Sequence, residues 1–261
     1  MSDARLEARD LGKTYHASAG GEVAALDGVD LRVEPGELVA VLGPSGCGKS
    51  TLLALLGGFE APTRGGVMLD GGPVVEPSPR VVTVFQDYAL FPWLNVLGNV
   101  EYGLRAHGLP RKRRRERAMR EIATVGLAGF ASSRPAELSG GMRQRVSLAR
   151  ALAVDPEVVL MDEPFGALDA VTRMRMQEEL ARVWRAEGAT IVLVTHDVDE
   201  AVYLADRVVL LTPAPGRVQE VVPVALPRPR ERDSEGFFRL RAHILRALHL
   251  AEERTPPEYE I

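Results

Sequence analysis

Gly43-Pro44-Ser45-Gly46-Cys47-Gly48-Lys49-Ser50-Thr51 fits the pattern G-x-x-x-x-G-K-[ST]. Its glycines allow consecutive backbone N–H groups to turn inward around phosphate oxygens. The start of a following helix adds the positive end of its dipole. Lys49 has the reach and charge for outer phosphates, and the Ser50 hydroxyl is a ligand suited to Mg²⁺. The chemistry this points to is the holding of ATP together with magnesium. Cys47, the one cysteine of the chain, falls at the helix start beside Lys49. That setting favours a thiolate and predicts a reactive thiol that nucleotide protects.

Three further stretches carry polar groups where such a ligand would need them. Val158-Val159-Leu160-Met161 ends in Asp162-Glu163. A carboxylate at the C-terminal end of a strand lies where ligands bind in open α/β sheets. Asp162 then suits Mg²⁺, usually through water, and Glu163 suits polarisation of an attacking water. His196 follows the apolar run Ile191–Val194 with one residue between, which places it on the same kind of edge, within hydrogen-bonding range of a γ-phosphate. Ser139-Gly140-Gly141 opens a helix: it is either a plain N-cap or a second anion-ready terminus. One nucleotide cannot fill two separated phosphate sites in one chain, so the second reading invites a neighbouring subunit's nucleotide.

The elements that must position these residues read as an α/β fold. Leu38–Leu42 runs directly into the glycine loop, and Ser50–Leu56 reads as a helix closed by Gly57-Gly58. Buried-strand runs recur at Val81–Phe85, Val158–Met161, Ile191–Val194 and Val208–Leu211. Such runs between helical stretches indicate a mostly parallel sheet covered on both faces. Leu6–Tyr15 and Val23–Val33 alternate between turn signals and suit antiparallel strands. From about Asp87 to Pro156 helical patterning takes over. Beyond it, Pro213, Pro215, Pro223, Pro227 and Pro229 predict irregular chain. Phe237, Leu240, Ile244 and Leu248 then recur at helical spacing and predict an amphipathic helix docked on the core. The expected division is an ATP-binding core with its antiparallel β subdomain at 1–86 and 157–225, a helical subdomain at 87–156 and a helical tail at 226–261.

Composition bounds the partners. At 261 residues, 46% hydrophobic and 26% charged, the chain is globular, and its net charge of −4 argues against a nucleic-acid backbone as the main partner. A single cysteine leaves no intrachain disulfide, which, with no secretory-type N-terminus, predicts a reducing cytoplasm. No apolar stretch is long enough to cross a bilayer. Arg111-Lys112-Arg113-Arg114-Arg115 reads as a solvated helix face, since Glu116 and Glu121 follow closely.

Taken in order, these motifs closely resemble the ATP-binding cassette (ABC) ATPase subunits, over nearly the whole chain. Gly43–Thr51 resembles the Walker A motif, Leu138–Met142 the signature, Leu160–Glu163 the end of Walker B, and Ala167-Leu168-Asp169 the D-loop. Gln86 matches the Q-loop, His196 the switch histidine, and Tyr15 the aromatic that stacks on adenine, though a packing role for Tyr15 stands beside that one. Met142 departs from the glutamine usual in the signature, which implies weaker tuning. The resemblance implies a P-loop NTPase core of RecA-like type. It implies ATP and Mg²⁺ as ligands, with Ser50, Gln86 and Asp162 at the metal. Glu163, His196, Lys49 and Gln86 would be catalytic. Nucleotide contacts would extend over Gly43 to Thr51, with Tyr15 and Asp169. The partner protomer of a head-to-tail homodimer would contribute Ser139, Gly140 and Gly141.

Very long coiled-coil insertions mark the DNA-repair relatives, and two cassettes in one chain mark the translation-factor relatives. Neither pattern is present. A regulatory module with little turnover conflicts with Glu163, so an importer is the reading favoured. Asp87–Val96, Asp162–Asp169 and Thr212-Pro213-Ala214-Pro215-Gly216-Arg217 resemble the nitrate, sulfonate and taurine importer subfamily. That implies two permease subunits, a periplasmic or lipid-anchored solute-binding protein, and a peripheral place on the cytoplasmic face of the bacterial inner membrane. Phe91, Pro92 and Trp93 would lie near the groove for a permease helix, or pack within their own subdomain.

Overall fold

The computed structural model describes residues 4–16 and 21–253; side chains from 249 onward are outside the description. The ends of the expected 1–86 and 226–261 segments therefore lie partly outside the described residues. In chain order the elements are β1 (Leu6–His16), β2 (Glu22–Val33), β3 (Leu38–Leu42), α1 (Lys49–Leu56), β4 (Arg64–Leu69), β5 (Gly72–Pro73) and β6 (Val81–Val84). Then come α2 (Val96–Ala106), α3 (Arg111–Thr124), α4 (Gly140–Ala153), β7 (Val158–Asp162) and α5 (Ala170–Glu187). The chain continues through β8 (Thr190–Thr195), α6 (Val198–Leu204), β9 (Arg207–Leu211), β10 (Val218–Pro223) and α7 (Glu235–Glu253). Contacts gather residues 1–77 and 190–261 into one compact unit and 78–189 into another.

In the first unit β2, β1, β4 and β5 lie side by side as an antiparallel sheet. Strands β10, β9, β3 and β8 form a second layer, with β3 parallel to both β8 and β9. Every residue of β3 and β8 is buried, which is why both read as unbroken apolar runs. Three strands escape the sequence pattern, one of them the two-residue β5. Gly65 and Gly66 interrupt the alternation of β4. The prolines around β10 read as loop, yet Pro223 closes that strand opposite Arg207. β10 is an edge strand, where a residue without an N–H forfeits no ladder bond. Helix α7 buries Phe237 and Ile244 and packs on α6, the docking its periodicity predicts.

In the second unit β6 and β7 pair in parallel, and α2, α3 and α4 pack on one another. The basic run opens α3. Arg111, Lys112, Arg113 and Arg115 are exposed and Arg114 meets Glu101 at 3.5 Å, so this is the solvated face its charge pattern predicts. Among the described residues, no helix is long and apolar enough to cross a membrane.

Candidate active site

The first unit brings together the phosphate-binding loop, His196 and Tyr15. Leu42 pairs with Thr195 across the parallel β3–β8 ladder, so Gly43 and His196 leave adjacent strands at the same C-terminal edge. Gly48 caps α1 with φ +94°, a backbone region that L side chains avoid. A Cβ there would also stand 2.7 Å from the Ala25 carbonyl oxygen. Lys49 folds back over the loop and its Nζ donates to the carbonyls of Gly43 (2.8 Å) and Pro44 (2.9 Å). The ammonium therefore already lies across the mouth of the loop, and incoming phosphate oxygens would take over those donors. Ser45, Gly46 and Ser50 are exposed.

Tyr15, the penultimate residue of β1, lies next to α1. Its hydroxyl donates to Glu60 Oε2 at 2.7 Å and lies 3.5 Å from Thr51 Oγ1. The Lys13 ammonium sits 5.0 Å from its ring centroid and also pairs with Glu60 at 3.0 Å. Burial pushes the Tyr15 phenol up, and the bonds from Tyr15 and Lys13 hold the Glu60 carboxyl below its ordinary range. The ring is thus fixed beside α1, the helix that follows the loop.

Cys47 corrects an expectation. Its side chain is fully buried, and desolvation pushes the thiol up more strongly than Lys49, with Nζ 3.9 Å from Sγ, pulls it down. Position at a helix start promised a reactive thiolate; packing under the loop produces an inert thiol instead.

One contact of the loop had a sequence mark but no assigned role. The segment Thr212–Arg217 runs behind it, where Gly216 N–H donates to Ala25 O (2.9 Å) and Asp27 N–H donates to Gly216 O (3.0 Å). A Cβ on Gly216 would lie 2.1 Å from the Cys47 carbonyl oxygen. The Pro-Ala-Pro-Gly run signals a turn, but nothing local to it shows that the turn abuts the phosphate loop.

The second unit gathers the other candidates. Val84 pairs with Met161, so Gln86 and Asp162-Glu163 emerge together from β6 and β7. Gln86 is exposed, and Asp162 and Glu163 are half-buried. A Cβ on Gly166 would lie 3.6 Å from Gln86 Nε2 and 3.8 Å from Glu163 Oε2, which puts amide and carboxylate around one spot. Glu163 has φ +42°, a strained conformation for a side chain of its size. Tyr88 and Ala89 after Gln86 also have positive φ. Arg150 of α4 holds them through their carbonyls at 2.9 and 2.6 Å.

Ser139 is the N-cap of α4, its Oγ accepting from Met142 N–H at 3.3 Å, so the plain capping role is present. Asp169 likewise caps α5 through Thr172 N–H at 3.0 Å, and that bond holds its carboxyl below the ordinary range. The two helix starts meet: Cβ atoms on Gly140 and Gly141 would lie 3.2 Å from a Leu168 methyl and 3.0 Å from a Thr172 methyl. A shared surface of two helix N-termini and small residues is suited to an approaching anion.

The candidate metal ligands are a hydroxyl (Ser50), an amide (Gln86) and a carboxylate (Asp162). These are hard oxygen donors of the kind Mg²⁺ takes alongside phosphate and water.

The ABC transporter family profile matches residues 26–166. An uncharacterized ABC transporter ATP-binding protein of Methanocaldococcus jannaschii is 50% identical over 94% of this chain and 91% of its own. A taurine import ATP-binding protein of Burkholderia pseudomallei is 54% identical over 82% of each chain. Among solved structures, a dimeric ATP-binding cassette in a post-hydrolysis state bound to ADP and Pi superposes with a TM-score of 0.73. It is 33% identical over 84% of this chain and 98% of that one. Fold and sequence agree over nearly the full length: the chain belongs to the ABC transporter family and is one of its ATP-hydrolysing cassettes.

Proposed function

We propose that this chain powers the import of a small solute of the taurine, sulfonate or nitrate kind. It would act as a homodimer under two separate permease subunits that a periplasmic or lipid-anchored binding protein supplies, at the cytoplasmic face of the bacterial inner membrane. The taurine importer relative supports the solute class, and the dimeric cassette supports the assembly. The sequence-based division is kept: core at 1–86 and 157–225, signature subdomain at 87–156, tail at 226–261.

The observation that carries the hydrolytic reading is Glu163, held at the exit of β7 in a strained conformation close to Gln86. In this reading the loop N–H groups and Lys49 grip the β- and γ-phosphates, and Tyr15 stacks on adenine. Glu163 orients water for in-line attack, and His196 and Lys49 stabilise charge on the transferring group. Mg²⁺ supplies charge neutralisation on the phosphate oxygens when bound. Ser139, Gly140 and Gly141 of one protomer close on the nucleotide of the other, with Asp169 at the same seam. Gln86 passes opening and closing to the permease. The exposed ring of Trp93, 5.4 Å from Phe91, which in turn lies 4.4 Å from Tyr102, offers an aromatic surface for that contact.

Glu163→Gln tests the proposal. Turnover should fall by about two to three orders of magnitude, while ATP binding persists and the protein elutes as an ATP-stabilised dimer. Turnover at the wild-type rate refutes the role of Glu163. Loss of growth on taurine as sole sulfur source after deletion of the gene tests the solute class; unimpaired growth rejects taurine.

A further inference from the structure

Four arginines from the C-terminal segment converge on one short helix. α6 has only seven residues and begins two positions after His196. The guanidinium of Arg230, only 7% exposed, donates to the carbonyls of Val202 (2.8 Å) and Tyr203 (3.0 Å) in the last turn of α6, and to Val224 O (3.1 Å). Arg228 donates to Leu204 O at 2.8 Å and to Asp206 at 2.9 Å, and Asp206 accepts from Leu38 N–H at the base of β3 (3.0 Å). Arg232 stacks on the Tyr203 ring at 3.7 Å. From α7, Arg241 pairs with Asp199 in the first turn at 2.8 Å.

A two-turn helix has little stability of its own, so its position is set by what holds it. Cations on the last carbonyls satisfy the unpaired acceptors and oppose the negative end of the dipole. The opposite end is tied tightly to the sheet edge. Asp197 N–H donates to Thr195 Oγ1 and the Asp197 carboxylate caps α6 through Glu200 N–H, both at 3.0 Å. His196 lies between those two anchors. A shift of α6 would therefore be delivered to the imidazole directly, whereas the phosphate loop is held by β3, α1 and the Lys49 bonds, with Arg228 reaching only the base of β3 through Asp206.

We infer that the C-terminal segment is a clamp on α6 that sets the position of His196, with Arg230 as its principal positioning residue. This inference rests on the reading of His196 as a group that acts on the γ-phosphate. The segment from Arg228 to Arg241 thus serves the catalytic step, beyond covering the core. Its function is to hold geometry: displacement of a catalytic group by about 1 Å costs up to roughly a hundredfold in rate.

The test uses the full-length chain and four measurements: kcat, KM, equilibrium ATP affinity, and hydrogen exchange of the α6 amides. Arg230→Ala should accelerate exchange in α6 and lower kcat about tenfold or more, with ATP affinity within about twofold of wild type. Arg230→Lys, which keeps a cation on the carbonyls, should recover part of kcat. Should Arg230→Ala fold poorly, the surface pair Arg232→Ala/Arg241→Ala should show the same split, a several-fold fall in kcat at unchanged affinity. Faster α6 exchange with unchanged kcat overturns the clamp as a positioning device. So does a parallel fall in kcat and ATP affinity, which marks general destabilisation. His196→Ala is measured alongside. Full activity there refutes the underlying site reading, whereas its inactivity with an unaffected Arg230→Ala refutes the clamp alone.

Discussion

Gly216→Ala probes the contact between the phosphate loop and the segment behind it. The φ of Gly216 is not in the left-handed region, so alanine suits the backbone and the cost is steric. The added Cβ would stand 2.1 Å from the Cys47 carbonyl oxygen, against an ordinary contact of about 3.5 Å. A separation of roughly 1 Å or more is needed, and both contacting groups are main chain. Two responses are open. If the Thr212–Arg217 segment yields, the bonds Gly216 N–H to Ala25 O and Asp27 N–H to Gly216 O weaken, at about 0.5–1.5 kcal/mol each. If the loop yields, a similar overpacking cost of about 1–3 kcal/mol falls on the conformation that binds phosphate. ATP affinity then drops about 5- to 150-fold. The loop is the expected victim, because the Cys47 carbonyl belongs to it. Titration with a fluorescent ATP analogue, beside a thermal melt, separates the two. Weaker binding with a modest fall in Tm supports the close approach; a lower Tm at unchanged affinity places the strain in the segment. Unchanged affinity and unchanged Tm together would refute the contact.

Other consequences concern groups whose environment sets their behaviour. Cys47 should react with iodoacetamide far more slowly in the folded chain than in urea, as followed by intact-mass spectrometry; equal rates would contradict its burial. Because its folded thiol holds the proton more tightly than the unfolded one, stability should decline as pH rises above the ordinary thiol range. Glu121 is nearly buried, and desolvation first, then Glu187, push its carboxyl up against the pull of Arg117 and Arg120. Folding thus favours its protonated form, and this contribution fades as pH rises through the ordinary carboxyl value towards the raised one. Glu121→Gln should accordingly raise Tm at pH 8 and give little or no gain at pH 4, and a larger gain at pH 4 would invert the argument. Glu163→Gly should relieve the positive φ and stabilise the chain by about 1 kcal/mol while abolishing turnover. A lower Tm in that variant would show that the conformation carries no strain.

Much of the site was legible because its chemistry is local. Gly43–Ser50 is continuous in sequence, and its strand–loop–helix setting follows from five apolar residues before it and a helical run after it. Strands β3, β7, β8 and β9 announced themselves as unbroken apolar runs because both faces are covered. Strand β10 stayed hidden since an edge strand tolerates prolines, and β4 because its glycines break the alternation that marks a half-buried strand.

The sequence by itself determined which functional groups exist and how the backbone around them bends. A phosphate loop, a carboxylate at a strand end, a histidine after a strand and a serine cap each need only a few neighbouring residues. Tertiary structure decided what depends on distant chain. Burial beneath the loop, as at Cys47, turned a thiol placed for reactivity into an inert one. Close approach of Gly216 to the loop joins residues 169 positions apart, and the arginines of the tail reach back to the helix behind His196. Desolvation, steric exclusion and long-range hydrogen bonding act through space, and only the folded chain brings their partners together.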